Sequence, residues 1–179
     1  LDIALMEELN RALDIAAREE SATLLMITAA GEKVFSAGVD VMDHTPDKVV
    51  QMIDVFHGIL KRLMVFPLPT VAALNGSAMG GGCELALACD EIVLVDDRSS
   101  AFPRASFAQD TQAFLAQFLG LSRVALMYTK KAVREAAGKP FFEALFTVEQ
   151  IYLKDLMATA DAVEGLNSFM EKRKPVWKN

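Results

Sequence analysis

Apolar positions change their period several times along this chain, and each change predicts an element. Over residues 2–20, Met6, Leu9, Leu13 and Ala16 form a stripe at helical spacing with charged positions between them. The run 24–29 (Leu-Leu-Met-Ile-Thr-Ala) is apolar without a helical gap and reads as a central strand, closed by a turn at Gly31. Thr45-Pro46-Asp47 supplies a capping hydroxyl, a proline and an acid, a helix start. The predicted helix carries Val49, Met52, Ile53, Phe56, Ile59, Leu60 and Leu63 on one face and stops near Pro67. Residues 71–74 then read as a short buried strand, 76–82 as a loop, 84–89 as a helix buried almost all round, and 91–96 as a further strand. Strands alternating with helices predict a layered α/β unit with right-handed crossovers. From Gln109 the pattern is helical only, through Ala137, again over 141–158 and over 161–173, with Gly138 and Pro140 as the interruption. The soft boundary at 99–106 divides an α/β part, 1–103, from a helical region, 104–179.

The loop 76–82 is where chemistry enters. Gly80-Gly81-Gly82 stands just ahead of Glu84, which opens an apolar helix. Glycines let the backbone approach a ligand closely. The first amides of a helix lack internal acceptors and present donors to a negatively charged oxygen. A carboxylate beside such donors can move a proton next to a carbonyl whose charge they hold. Ser36-Ala37-Gly38 is a second small-residue corner in an otherwise apolar segment, able to give a further N–H to the same oxygen. Other readings of the run fail: no Lys-Ser/Thr follows it as a phosphate loop requires, the alternating glycines of a dinucleotide loop are missing, and Asn75 stands where a nucleophile elbow around Ser77 needs glycine. To act as a base near neutral pH, Glu84 needs an apolar surround, for which Met79, Leu85 and Leu87 are the sequence's candidates.

Phe35-Ser-Ala-Gly-Val-Asp40 and Asn75-Gly-x-Ala-x-Gly-Gly-Gly-Cys-Glu-Leu85 resemble the two signature segments of the enoyl-CoA hydratase/isomerase (crotonase) family. Glu164-Gly-x-x-x-Phe-x-Glu-Lys-Arg-Lys174 resembles that family's closing motif. The segment from Phe35 to Pro46 is similar in particular to the cyclohexa-1,5-diene-1-carbonyl-CoA hydratases of anaerobic aromatic degradation. The resemblance implies a crotonase-like (ClpP/crotonase) α/β fold, a layered β-β-α superhelix with a C-terminal helical trimerisation region. It implies a lyase acting on acyl-CoA thioesters, with the Ala37 and Gly81 amides as oxyanion hole and Glu84 as catalytic carboxylate. By the same route Lys33, Phe35, Val39, Asp40, Val41 and Gly80 are candidates for substrate and CoA contact. Phe169 and Lys172 join them, meeting CoA in some relatives from a neighbouring subunit. No cofactor is implied; coenzyme A is part of the substrate. The partner implied is a second copy of the chain, in a trimer or a dimer of trimers. An enoyl-CoA isomerase, needing one carboxylate, and a non-catalytic acyl-CoA-binding subunit are the rival readings.

The departure from the family concerns the second acid. Family hydratases carry another glutamate about one strand after the first, yet here Ala101-Phe102 runs into Pro103-Arg104-Ala105-Ser106 and the next glutamate is Glu135. A family segment is missing near 102–104. Either a longer protein carries it, which a first residue other than Met also suggests, or the second acid has been lost.

Composition narrows the partners. The net charge is −6 with no basic stripe, and Lys172-Arg173-Lys174 is too short and local to make one, which argues against nucleic acid. An apolar content of 53% is high for a lone globular domain and predicts subunit contacts. Cys83 and Cys89 sit on different parts of one helix, so they read as buried small hydrophobes, not a disulfide, in a reducing, cytoplasmic setting. No apolar run is long enough to span a bilayer. His44 and His57 lie too far apart for a metal site, and Asp40, Asp43 and His44 read as the solvated approach to a helix. His57 reads as a partly buried helix residue and Trp177 as packing.

Overall fold

The first helix begins where Asp2 can cap it. The Asp2 carboxylate accepts the Leu5 amide at 2.8 Å, and α1 runs Ile3–Ala16 with Met6 and Leu13 buried. In the computed structural model, which describes residues 1–31, 33–94 and 107–178, the chain then repeats one unit twice. Strand β1 (Leu25–Thr28) is followed by β2 (Val34–Ser36) and helix α2 (Val49–Met64). Strand β3 (Thr70–Leu74) is followed by β4 (Ser77–Ala78) and helix α3 (Gly81–Leu87). The first strands of each unit pair in parallel, and β5 (Glu91–Leu94) extends them in the order β1-β3-β5; the second strands pair in parallel as a separate sheet, β2-β4. The layered β-β-α organisation is therefore present as expected.

Burial follows the helical stripe of α2. Met52, Phe56, Ile59 and Leu63 face inward at alternating intervals of four and three, and join Met6, Leu13, Phe66, Leu68, Ala72 and Leu85 in one core. Ile53, placed on that face by the sequence, is 41% exposed. Helices α1 and α2 are tied by Asn10, whose amide donates to the Val55 carbonyl at 2.9 Å, and by Arg62, which reaches Asn10 at 2.8 Å and Asp14 at 3.0 Å.

Several boundaries differ from the expected ones. Helix α2 starts at Val49, four residues after Thr45, and has no side-chain cap; the Thr45 carbonyl instead accepts the Lys48 and Val49 amides in a preceding turn. Proline and its neighbours make that turn rather than the first helical turn. The long helix expected after Gln109 is two, α4 (Phe107–Leu119) and α5 (Arg123–Ala136), because Ser122 caps the second by accepting the Ala125 amide at 3.1 Å. The segment 141–158 is α6 (Phe141–Gln150) running into a π-helical turn, Ile151–Leu156. Thr159 then caps α7 (Ala160–Met170). Val95 and Asp96, expected to end the last strand, lie outside the described residues, as do the 99–106 boundary and the proposed break at 102–104.

The helical region is held to the α/β core by charge. Lys130 of α5 pairs with Asp90 at 2.6 Å and donates to the Leu68 carbonyl; Arg134, one turn on, meets Asp90 at 3.0 Å. Asp90 also accepts the amide and hydroxyl of Thr70, each at 2.8 Å. Burial disfavours the Asp90 charge, but the Lys130 and Thr70 hydrogen bonds outweigh it and hold the carboxyl below the usual aspartate range. Burial pulls the Lys130 ammonium below its own usual range.

A depressed carboxylate contributes stability that is present above its unfolded value and lost as pH falls through the folded one. Asp90→Asn, which leaves two cations facing a neutral amide, is expected to cost about 1–2 kcal/mol at pH 7, discounted from a fully buried pair because the side chain is 28% exposed. The difference from wild type in urea melts is expected to close below pH 4 as Asp90 protonates.

Candidate active site

Two corners meet above the β2-β4 sheet, and glycines let them do so. The Ser36 carbonyl at the end of β2 accepts the Met79 amide at 2.9 Å, and the Lys33 carbonyl accepts the Ser77 amide at 3.0 Å. A Cβ on Gly76 would lie 2.2 Å from the Lys33 carbonyl carbon, and one on Gly82 would lie 2.5 Å from the Ser36 Cβ. Any side chain at either position would push the segments apart. Gly38, at φ +97°, has its missing Cβ direction 3.5 Å from the Gly81 nitrogen. The corner 37–38 and the corner 80–81 are therefore neighbours, as their sequence suggested.

The two candidate donors have defined directions. In a planar peptide the C=O and the following N–H point opposite ways. The Gly80 carbonyl accepts the Cys83 amide at 2.9 Å and the Glu84 amide at 3.2 Å, so the Gly81 N–H points out of the start of α3. The Ser36 carbonyl faces Met79, so the Ala37 N–H points away from β4. Neither amide donates to an acceptor among the described residues. Behind Gly81 stand Val39 and Phe56: a Cβ there would meet Val39 Cγ2 at 2.9 Å and Phe56 Cζ at 3.1 Å. Nothing in the spacing of the sequence assigned Phe56 this place; it was legible only as one member of the α2 stripe.

Glu84 lies in the first turn of α3, and its carboxylate has no hydrogen-bond or ion-pair partner among the described residues. It is exposed, and so are Cys83 and Leu87, because α3 buries only the face bearing Gly82, Leu85 and Ala86. This corrects the helix over 84–89 expected to be apolar and enclosed. The apolar cover expected from Met79, Leu85 and Leu87 is likewise not supplied: Met79 is 51% and Leu87 69% exposed, while Leu85 turns into the core. Cys83 is correspondingly no buried hydrophobe, whereas burial pushes the Cys89 thiol up to about 11.

The remaining candidates divide by position. Phe35 is buried in the core, so its ring underlies the corner instead of facing a ligand. Lys33, Asp40, Val41 and Gly80 are exposed; Asp40 accepts the Met42 amide at 2.9 Å, and Val41 is bare to solvent. His44 and His57 are both exposed, which corrects the partly buried placing of His57. Phe169, 83% exposed, lies in the last turn of α7 and Lys172, at φ +54°, just beyond it; the side chains of α7 bond to Ser122, Arg173 and the Lys178 amide. Among the described residues, no hydrogen bond brings either to the two corners. The stretch from Ala101 to Ser106, where the family segment with the second acid is missing, lies outside the described residues.

A model of the family described as enoyl-CoA hydratase/isomerase matches residues 1–102. The cyclohexa-1,5-dienecarbonyl-CoA hydratase of Thauera aromatica is 28% identical over all of this chain and 88% of its own length. The 2,3-dehydroadipyl-CoA hydratase of Escherichia coli K12 is 27% identical over 99% and 89%. The first of these alignments runs over 228 positions against 179 residues here, so that relative carries residues with no counterpart in this chain. Among solved structures, an enoyl-CoA hydratase from Bacillus anthracis superposes with a TM-score of 0.86 at 23% identity, covering 99% of this chain and 90% of that one. Human enoyl coenzyme A hydratase domain-containing protein 3 superposes at 0.87 and 22%, with the same coverage. These structures share the fold described above.

Gly82→Ala is expected to destabilise the protein by about 1–3 kcal/mol through overpacking against Ser36. Gly120→Ala, with nothing within 4 Å of the added carbon, is the control expected to unfold at or near the wild-type midpoint in the same denaturant titration.

Proposed function

Because the chain belongs to the enoyl-CoA hydratase/isomerase family, we propose that it adds water across a C=C bond conjugated to a CoA thioester. The observation that carries this reading is the meeting of the two corners, with the Ala37 and Gly81 amides both lacking an acceptor among the described residues. A thioester oxygen between them becomes an enolate oxygen as water adds at the β-carbon. Each donor aimed at that developing charge is worth ~3 kcal/mol in the barrier. Glu84 orients the water and removes its proton, and its free carboxylate suits that work. In the isolated chain Glu84 is open to solvent, so bound substrate supplies the apolar cover that Met79 and Leu87 do not. Proton delivery to the α-carbon falls to a second acid in the family segment missing near 102–104; if a full-length protein carries no such residue, Glu84 alone does both or the chemistry differs.

The acyl group we favour is a cyclic dienoyl one, as the name of the Thauera relative suggests, with aromatic degradation as its metabolic setting. Coenzyme A enters as part of the substrate, with Lys33 offered to its phosphates. We further propose a homo-oligomer, a trimer or a dimer of trimers. Phe141, Phe142, Phe146, Tyr152, Leu153 and Phe169 are all more than half exposed on the helical region, an apolar surface of the kind that marks an interface. In such an assembly Phe169 and Lys172 face the CoA of a neighbouring subunit. The two free thiols fit a reducing, cytoplasmic compartment.

Isomerisation is the second reading, favoured by Glu84 being the one carboxylate on α3. A lone carboxylate can shuttle a proton along the acyl chain without water. Crotonyl-CoA and a cyclic dienoyl-CoA separate the two: hydration bleaches the conjugated absorbance and takes up ¹⁸O from labelled water into the product, and isomerisation takes up none. Glu84→Gln is expected to lower kcat by at least about 100-fold, and full activity in that variant would sink the catalytic assignment. Acyl-CoA binding by the wild type without any turnover would mark a non-catalytic binder instead.

A further inference from the structure

We propose that Ser36 is the positioning residue for both main-chain donors, a role that rests on the hydratase reading and adds a residue to its machinery. Ser36 is 8% exposed at the end of β2 and touches each half of the site through a different group. Its carbonyl accepts the Met79 amide at 2.9 Å, and since the Ala37 N–H belongs to the same planar unit, a bond made by the second loop sets the aim of the first donor. Its hydroxyl oxygen accepts the Gly38 amide at 3.2 Å. Gly38 is buried, so without Oγ its N–H would lose the hydrogen-bond partner it has inside the protein. The Ser36 side chain also carries the backbone of Gly82, the residue directly after the second donor. A Cβ on Gly82 would lie 2.5 Å from the Ser36 Cβ and 2.7 Å from its Oγ. Ser36 thus fixes the direction of one N–H and the height of the other, so their separation is held across two loops by one side chain of small volume. Alanine keeps the fit beneath Gly82 but frees the Gly38 amide, and the 37–38 peptide is then free to rotate.

The variants are Ser36→Ala and Ser36→Cys, the latter restoring a weak acceptor. With crotonyl-CoA, Ser36→Ala is expected to lose about tenfold in kcat with KM within about twofold, less than the ~10²–10³ for outright removal of a donor, because the Met79 bond still anchors the 36–37 peptide and the loosened corner weakens the Ala37 donor without deleting it. Ser36→Cys is expected to recover part of that loss. In ¹⁵N relaxation measurements without substrate, the Ala37 and Gly38 amides are expected to be rigid in the wild type, near an order parameter of ~0.85, and to fall clearly below it in Ser36→Ala. A loss confined to KM or to the unfolding midpoint, or order parameters that do not move, would overturn the role of Ser36. A wild type that turns over no enoyl-CoA would overturn the hydratase reading, and the order parameters still decide whether Ser36 holds the corner. If Ser36→Ala does not fold, Ser36→Cys carries both comparisons, with wild-type kcat and wild-type order parameters as the refuting result.

Discussion

Two backbone segments can present donors to one oxygen only if they approach more closely than side chains allow. In this protein the approach is made between the end of β2 and the start of α3, where Gly76 and Gly82 lie so near Lys33 and Ser36 that a single added carbon would overlap them. The hydrogen bonds from Ser77 to Lys33 and from Met79 to Ser36 close the same seam. Most of the remaining architecture serves it. Strands β1 and β3 bring the two repeats side by side, and Phe56 of α2 together with Val39 of the 37–40 loop backs Gly81. The closeness of the two corners is set by absence of bulk as much as by any functional group.

Charge does comparable work at the opposite end of β3 and β5. Asp90 gathers Thr70 from β3 and two cations from α5, joining the helical region to the β1-β3-β5 sheet. The α5 and α6 helices bury no residue fully, so this ionic cluster compensates for a thin apolar contact. The large aromatic side chains of α6 are left facing outward. Such a division suits a region whose apolar surface belongs to neighbours, with polar bonds fixing its angle to its own core.

What could be read from the sequence was what local chemistry decides. The stripe of α2 and the apolar run of β3 need only periodicity, and the two glycine corners need only the rarity of such residues next to a glutamate. Exposure was harder. Glu84 and Leu87 share a short helix with Leu85, and which of them faces solvent depends on the β2-β4 layer beneath, not on the helix. Thr45-Pro46-Asp47 has the composition of a helix start, but the backbone spends those residues on a turn, and capping propensity alone does not separate the two uses. Phe56 and Ser36 escaped as site residues because their importance is to atoms twenty-five and more than forty positions away in the chain. Steric relations of that kind leave no trace in spacing.

Functional groups made of main chain have an unusual genetics. Every amino acid except proline supplies an N–H, so no replacement at Ala37 other than proline deletes the donor proposed there, and an alanine scan passes over that position because it is alanine already. Ordinary mutational surveys would score the neighbouring glycines as structural and leave the hydrogen-bonding pair itself unseen. Only chemistry that alters the peptide link, such as exchanging the amide for an ester, would expose what those two atoms contribute.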